Sequence, residues 1–318
     1  MKAALLPALL SVFTLCTPCF SQNWECFAAG TPQQVAEEIE HLQASKDGLE
    51  SINELGQTAL IVAAESNPDA AVTQTLIAAG SNLEAKDSVG WTALTAAAAS
   101  YASLEVLNTL LAAGADVNAR DKENCTPLIW AARMSSNPAV IELLLKAGAE
   151  LESCDGQGLT PLLAAATYNV NGSITAALLK AGAKLNGCDD MDRNALLAAA
   201  SYNQNAEVVG VLLKAGAELE SRNKCNNTAL MVAARRYNSD PALIQILVNA
   251  GAEVQARDEL GQTSLMIAAR HNSTAVVAAL LAAGSKLETR NIERAPAIQW
   301  AAQGLSFFFF EGCAASEA

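Results

Sequence analysis

A short segment that ends in glycine recurs along this chain at a spacing of 33 to 35 residues. Two neighbouring copies are Leu111-Ala-Ala-Gly114 and Leu145-Lys-Ala-Gly148. A second landmark keeps the same step, and its members are Thr58, Thr92, Thr126, Thr160, Asn194, Thr228 and Thr263. A fixed period of this length is typical of stacked repeats, each of which buries its apolar face against its neighbours. We therefore predict one elongated array of seven repeats and not two globular domains.

Each repeat carries the start and stop signals of two short helices. In one copy, Thr126 and Pro127 form an N-cap followed by a first-turn proline, and Asn137 and Pro138 repeat that pattern eleven residues later. Gly148 then closes the second helix as a left-handed cap. Between repeats we expect an extended strip and a tight turn. The strained position of that turn holds only Gly, Asn or Asp, the residues that tolerate a positive φ; it is occupied by Gly56, Gly90, Asn124, Gly158, Asp192, Asn226 and Gly261.

This plan resembles the ankyrin repeat. The resemblance is carried by Thr126-Pro127-Leu128, by the alanine pair Ala131-Ala132 and by the strip Gly114-Ala-Asp-Val-Asn-Ala-Arg-Asp121, and it extends from residue 22 to about residue 304. It implies an all-α solenoid of stacked helix-turn-helix repeats with projecting β-hairpin loops. One departure is that the family often has histidine after Thr-Pro-Leu, where this chain has Ile129 and other apolar residues.

The two ends of the chain differ from the repeats. Met1-Lys2, the apolar run Ala3 to Leu15 and a cut after Ser21 are the layout of a secretory signal peptide. An uncleaved anchor is the alternative. We thus predict a signal peptide at 1–21, an N-terminal capping repeat at 22–53, seven ankyrin-type repeats at 54–291, and a degenerate C-terminal repeat with a tail at 292–318. The four phenylalanines Phe307–Phe310 either cover the open end of the last repeat or mark a degraded terminus.

Composition and motifs argue against catalysis and nucleic-acid binding. The chain has 33 acids and 20 bases, a net charge of −13, which disfavours a nucleic-acid partner. It has only two histidines, His41 and His271, and no phosphate loop, nucleotide fingerprint or serine-nucleophile elbow. The cysteines lie too far apart for a zinc site, and we expect free thiols. We therefore predict no enzyme activity, cofactor or metal, and we interpret the recurring Glu150, Glu152, Glu218 and Glu220 as a solvated face.

The positions that do not repeat are the candidates for recognition. In ankyrin-like arrays the hairpin tips and the end of the first helix line a concave surface, and we expect the same here. Arginine and tyrosine, which are enriched at binding hot spots, gather at these positions. Mutual packing of Tyr168 and Tyr202, or ion pairs with neighbouring acids, are the structural alternatives. Glu65 and Leu159 fall on the same surface, and the predicted partner-binding residues are Trp91, Arg133, Met134, Tyr168, Arg193, Tyr202, Arg235, Arg236, Arg270 and His271.

These features together predict a non-catalytic, exported protein-interaction scaffold of bacterial type, periplasmic or secreted. We expect a monomer without a stable membrane span once the signal peptide is cleaved, and a partner that is another protein. Two alternatives remain open at this point. The protein could act as an inhibitor or protective partner of one exported enzyme, or it could bind an anionic ligand through its arginine cluster.

Overall fold

The chain, seen in a computed structural model, is described for residues 24–43, 48–100, 103–236, 240–271 and 274–292. The predicted signal peptide, Cys313 and Phe307–Phe310 lie outside these ranges. The described residues form sixteen α-helices and one 3-10 turn at Gly48–Glu50. The helices are α1 Trp24–Ala29, α2 Pro32–Gln43, α3 Ala59–Ser66, α4 Ala70–Ala78, α5 Ala93–Ala99, α6 Leu104–Ala112, α7 Pro127–Met134, α8 Pro138–Lys146, α9 Pro161–Tyr168, α10 Gly172–Lys180, α11 Ala195–Tyr202, α12 Ala206–Lys214, α13 Ala229–Arg235, α14 Pro241–Asn249, α15 Ser264–His271 and α16 Thr274–Ala282.

Helices α3 to α16 pair into seven helix-turn-helix repeats, which we number one to seven from α3/α4 to α15/α16. Helices α1 and α2 precede them as a further pair. The odd-numbered helices pack on one another in a first-helix layer, and the even-numbered helices form a second-helix layer. The all-α solenoid is thereby confirmed.

The predicted helix signals act as expected from their chemistry. The hydroxyl of Thr126 accepts a hydrogen bond from the Ile129 N–H at 3.4 Å, which satisfies one of the free donors of the first turn of α7. Gly148 has φ +97°, the left-handed conformation predicted for a cap. The turn position predicted to be strained also has positive φ, including the non-glycine residues Asn124 at 66°, Asp192 at 55° and Asn226 at 58°.

The projecting loops differ from the predicted β-hairpins. Each one is a tight turn, and the described residues contain no β-strand. Backbone hydrogen bonds join several pairs of neighbouring turns, such as Lys122 N–H to Val89 O at 3.2 Å and Gly156 N–H to Glu123 O at 2.9 Å. A single bond per turn aligns neighbouring loops but does not build the ladder that a strand requires.

The two helix layers differ in the size of the side chains that they bury. Both layers bury leucine and isoleucine, such as Leu128 in α7 and Leu144 in α8, and the first helices also bury alanine pairs such as Ala131-Ala132. Small side chains allow helix axes to approach more closely. The alanine pairs therefore favour close packing within the first-helix layer.

Candidate functional site

Three positions in each repeat bring side chains together on one side of the first-helix layer. The turn position is the residue before the N-cap, and the two helix-end positions lie seven and eight residues after the N-cap. The side chain at the turn position can contact the side chain at a helix-end position of the same repeat. Gln57 Nε2 donates to Glu65 Oε2 at 2.7 Å, and Arg193 Nη1 donates to the Tyr202 hydroxyl at 2.8 Å. We call the surface formed by these positions the inner face.

A shared turn places the inner face. In each hairpin the side-chain oxygen of one Asp or Asn accepts two backbone N–H groups, two and four residues ahead. Asp121 Oδ1, for example, accepts from Glu123 at 2.9 Å and from Cys125 at 2.8 Å. This pair of hydrogen bonds fixes the backbone just before the first helix and so aims the turn-position side chain. The seven residues that do this are Asn53, Asp87, Asp121, Asp155, Asp189, Asn223 and Asp258.

An aromatic–arginine cluster of Trp91, Trp130, Arg133 and Tyr168 crosses repeats two to four. The two tryptophan rings meet edge to face, with centroids 4.7 Å apart. The Arg133 guanidinium lies 4.8 Å from the Trp130 ring and 4.5 Å from the Tyr168 ring. Such cation–π contacts contribute about 0.5–1 kcal/mol each at exposed sites. The cluster thus holds four large side chains in a fixed arrangement on the surface.

Arg133 forms no ion pair with the described residues. Its Nη1 lies 3.8 Å from the Cys125 thiol sulfur, and no described carboxylate lies within 4 Å. Burial and the nearby Asp121 raise the pKa of Cys125 to about 12, although Arg133 acts in the opposite direction. The thiol is therefore protonated and inert at neutral pH, and Arg133 presents a cation without an ion-pair partner between two aromatic rings.

Trp130 was not among the predicted residues. It lies four residues after the N-cap, where the other repeats bury Val, Ala or Ile, as at Val62 and Ala164. Its indole N–H donates to Asp121 Oδ2 at 2.7 Å, which anchors the ring at the surface. The signal in the sequence was a tryptophan at a position that is small and aliphatic in every other repeat.

Arg193 and Tyr202 form a second group, in repeat five. Arg193 donates from Nε to Asp189 Oδ2 at 2.7 Å and places Nη2 at 2.6 Å from the same oxygen, while its guanidinium covers the Tyr202 ring at 5.1 Å. Burial acts to lower the pKa of Arg193, but the hydrogen bond and charge of Asp189 raise it above its usual value. Arg193 is thus ion-paired within its own repeat.

Each predicted tyrosine packs against an arginine, Tyr168 against Arg133 and Tyr202 against Arg193.

The arginines of repeats six and seven lie close together. Arg235 donates to Asn227 Oδ1 at 3.0 Å and lies 3.9 Å from Asp258 Oδ2, in the next repeat. Burial and the charges of Arg270 and Arg235 lower the pKa of His271, so its imidazole is neutral at pH 7. Arg270 is exposed, beside His271 at the end of α15.

Two predicted surface positions are corrected by the structure. Arg236 was expected to be an exposed side chain, but it is half-buried and donates from Nη1 to Asn203 O of the preceding repeat at 2.7 Å. Burial lowers the pKa of Arg236, with Asp240 opposing the shift. Leu159 was expected on the surface and is 2% exposed, because it packs in the hydrophobic core of the array. Met134, by contrast, lies half-buried at the end of α7.

The acidic strips are exposed, as expected for a solvated face, and they also make contacts between repeats. Glu152 Oε1 accepts the Lys184 N–H of the next repeat at 2.9 Å, and Glu220 Oε1 accepts the Glu253 N–H at 2.8 Å. Glu150 lies 3.7 Å from Arg120, and Glu218 accepts from Asn186 at 3.2 Å. These carboxylates stand at the surface, but they connect successive repeats.

The part of the chain that the structure describes contains no group of three or more His, Cys, Asp or Glu that could hold a metal ion. Within the same ranges, Cys26, Cys125, Cys154, Cys188 and Cys225 carry free thiols. No helix among the described residues is long and apolar enough to cross a membrane.

The family is established by comparison with known proteins. The family described as "Ankyrin repeats (3 copies)" matches four overlapping stretches, 27–121, 74–155, 128–223 and 197–291, which together span well over half of the chain. The protein therefore belongs to the ankyrin-repeat family. No curated protein matches the sequence. Ankyrin-repeat proteins are usually non-catalytic scaffolds for protein–protein interaction, so this protein's expected ligands are other proteins.

Proposed function

We propose that the protein is an exported interaction scaffold that binds a partner protein through its inner face, without catalysis of its own. The observation that carries this proposal is the aromatic–arginine cluster. Trp91, Trp130 and Tyr168 surround a cation that has no carboxylate within 4 Å in the described chain. Tryptophan, tyrosine and arginine dominate the binding energy of protein interfaces.

Preorganisation favours binding at this cluster. The ring–ring contact, the two cation–π contacts and the Trp130–Asp121 hydrogen bond already restrict the side chains. A partner therefore loses little additional side-chain entropy on the scaffold side when it docks. Tyr168 keeps 47% of its surface exposed, so a large part of the cluster is open to contact.

Export is the second part of the proposal, and it rests on the N-terminal sequence. The short apolar run from Ala3 to Leu15 after Lys2, followed by small residues around Ser21, is the layout that a secretion system recognises. The experiment is expression of the full chain followed by fractionation and N-terminal sequencing. We expect an exported species that starts at Gln22, whereas an exported species that starts at Met1 would contradict cleavage.

Binding is tested by capture from an extracytoplasmic extract. The immobilised protein is compared with an Arg133→Ala/Tyr168→Ala variant and with a Glu142→Ala/Lys146→Ala control on α8, in the second-helix layer. We expect at least one captured protein whose affinity falls by about 2 kcal/mol or more in the first variant, as for hot-spot truncation, and stays unchanged in the control. Equal capture by all three proteins would contradict the proposed surface.

A further inference from the structure

A shallow pocket of about 240 Å³ lies on the inner face where repeats five and six meet. Its lining includes four cationic side chains, Arg193, Lys224, Arg235 and Arg236, and none of the described lining residues is acidic. This concentration of positive charge stands on a chain whose net charge is −13. Such a local excess attracts an anionic group in spite of the overall charge.

The four cations differ in how far they are already satisfied. Arg193 is paired with Asp189, and Arg235 lies 3.9 Å from Asp258. Lys224 donates to the backbone oxygen of Asp190, and Arg236 donates to the backbone oxygen of Asn203. Among the described residues, neither Lys224 nor Arg236 has a carboxylate within 4 Å. These backbone contacts hold the two side chains in place without an ion pair, although the charge of Asp240 also acts on Arg236 from beyond that distance.

The rest of the pocket is apolar and aromatic. Met191 is 52% exposed and Tyr202 is 53% exposed at its walls, while Val232 is buried beneath. A site of this size accepts one or two side chains and is smaller than the roughly 300–1,000 Å³ typical of pockets for drug-sized ligands. Charge and apolar surface in one small site suit a short peptide segment better than a free ion, since a free ion makes no use of Met191.

We propose that this pocket binds a carboxylate side chain from an acidic segment of the partner protein, with Lys224 and Arg236 as the ion-pairing groups. Arg236 still has guanidinium donors beyond the one used on Asn203, and a carboxylate can accept from a guanidinium and an ammonium at once. The adjoining Met191 and Tyr202 contact the apolar parts of the same segment. This inference rests on the proposed function, because it names the partner chemistry at one part of the inner face.

The test is a titration of the isotope-labelled protein, followed by backbone amide shifts in NMR. The probe is an acetylated and amidated hexaglutamate peptide, with inorganic phosphate as a second probe. We expect hexaglutamate to shift the amides around Met191, Tyr202 and Lys224, with an apparent Kd that rises with salt. Lys224→Gln/Arg236→Gln should weaken this binding by at least about tenfold, and Lys214→Gln on α12 should not change it.

Arg236 also contacts the backbone of repeat five, so its replacement can disturb the fold. The single variant Lys224→Gln is therefore measured as well, and an unchanged midpoint of urea unfolding shows that its fold is intact. A loss of affinity of several-fold in this single variant supports the assignment. Equal affinity of wild type and Lys224→Gln would overturn it, as would shifts from phosphate but none from the peptide, or peptide-induced shifts confined to α12 and its neighbours. These outcomes are independent of partner capture, which depends on Arg133 and Tyr168, so the proposed function and the pocket can fail separately.

Discussion

At the scale of single residues, the acid or amide in each hairpin turn controls where the inner-face side chains stand. Asp87 Oδ1 accepts the N–H groups of Val89 at 2.9 Å and Trp91 at 2.8 Å. Asn53 and Asn223 make the same pair of bonds with an amide oxygen. The turn therefore needs an acceptor oxygen at this point and not a negative charge.

Replacement of Asp87 tests this requirement. Asp87→Ala leaves two backbone donors without their acceptor, and unsatisfied groups of this kind cost about 1–3 kcal/mol each when they are buried. We expect the free energy of unfolding in urea to fall by about 2 kcal/mol for Asp87→Ala and by less than about 1 kcal/mol for Asp87→Asn, which keeps the acceptor. Equal losses for the two variants would show that the charge of Asp87, and not its oxygen, holds the turn.

The raised pKa of Glu65 predicts how the stability of the protein depends on pH. Burial, opposed by the hydrogen bond from Gln57 and reinforced by the charge of Asp87, raises the pKa of Glu65 above its ordinary value of 4.5. Because the folded state binds this proton more tightly than the unfolded state, the associated stability is complete below pH 4.5 and is lost as the pH rises through the raised pKa.

Glu65→Gln stays neutral at every pH and removes this dependence. The stability of the variant relative to wild type should therefore increase as the pH rises from about 4 to about 7, when measured by urea unfolding at each pH. The amide side chain of the variant can also keep a hydrogen bond with Gln57. A difference that stays constant with pH would show that Glu65 titrates normally in the folded protein.

The residues that sequence reasoning found and missed differ in a physical way. The caps and strained turns were predictable because a positive φ restricts the residue type at one position, as at Gly148 and Asn124. The burial of Leu159 and the contact from Arg236 to Asn203 depend on how neighbouring repeats overlap. That overlap is set by packing between residues a whole repeat apart, which a local pattern does not encode. Trp130 was missed for the same reason, because a local pattern assigns its position, four residues after the N-cap, to the buried core.

At the scale of helices, a ladder of buried asparagines joins successive repeats at the end of the first helix. Asn169 Nδ2 donates to Ala132 O at 3.0 Å and to Ser135 O at 2.8 Å. Asn203 Nδ2 makes the equivalent bonds to Ala166 O at 2.9 Å and Asn169 O at 2.8 Å. Each amide thus satisfies two carbonyl groups at the C-terminus of the preceding first helix, which would otherwise lack partners.

Asn169→Ala should weaken the coupling between repeats three and four. It leaves the carbonyls of Ala132 and Ser135 unsatisfied in a site that is 5% exposed, and we expect a loss of at least about 2 kcal/mol. In a repeat array the effect should spread mainly to the nearest neighbours. Hydrogen exchange should therefore accelerate first in α7 and α9.

The matched control for this ladder is Asn186→Ala, which removes one exposed hydrogen bond to Glu218. We expect this change to lower stability by less than about 0.5 kcal/mol, as for surface substitutions. Similar losses from the two asparagine variants, or a uniform change of exchange along the array, would contradict a role for Asn169 as a local connector.

At the scale of the whole molecule, the two helix layers have different roles. Both layers bury aliphatic side chains, as at Leu128 in α7 and Leu144 in α8, and the first-helix layer also supplies the alanine pairs and the inner face. Along that face the aromatic–arginine cluster occupies repeats two to four, and the cationic pocket lies between repeats five and six. A partner that spans both would meet an aromatic anchor at one end and a positively charged site at the other.

Binding at the inner face is tested most directly by hydrogen exchange. Exchange is measured peptide by peptide for the protein alone and for its complex with the captured partner. Binding at the inner face predicts slower exchange in the turns before α5, α7, α9, α11 and α13 and at the ends of these first helices. It predicts little change in α6, α8, α10, α12 and α14, because protection follows burial of the contacted backbone. Protection confined to the second-helix layer would contradict the central claim that the inner face is the binding surface.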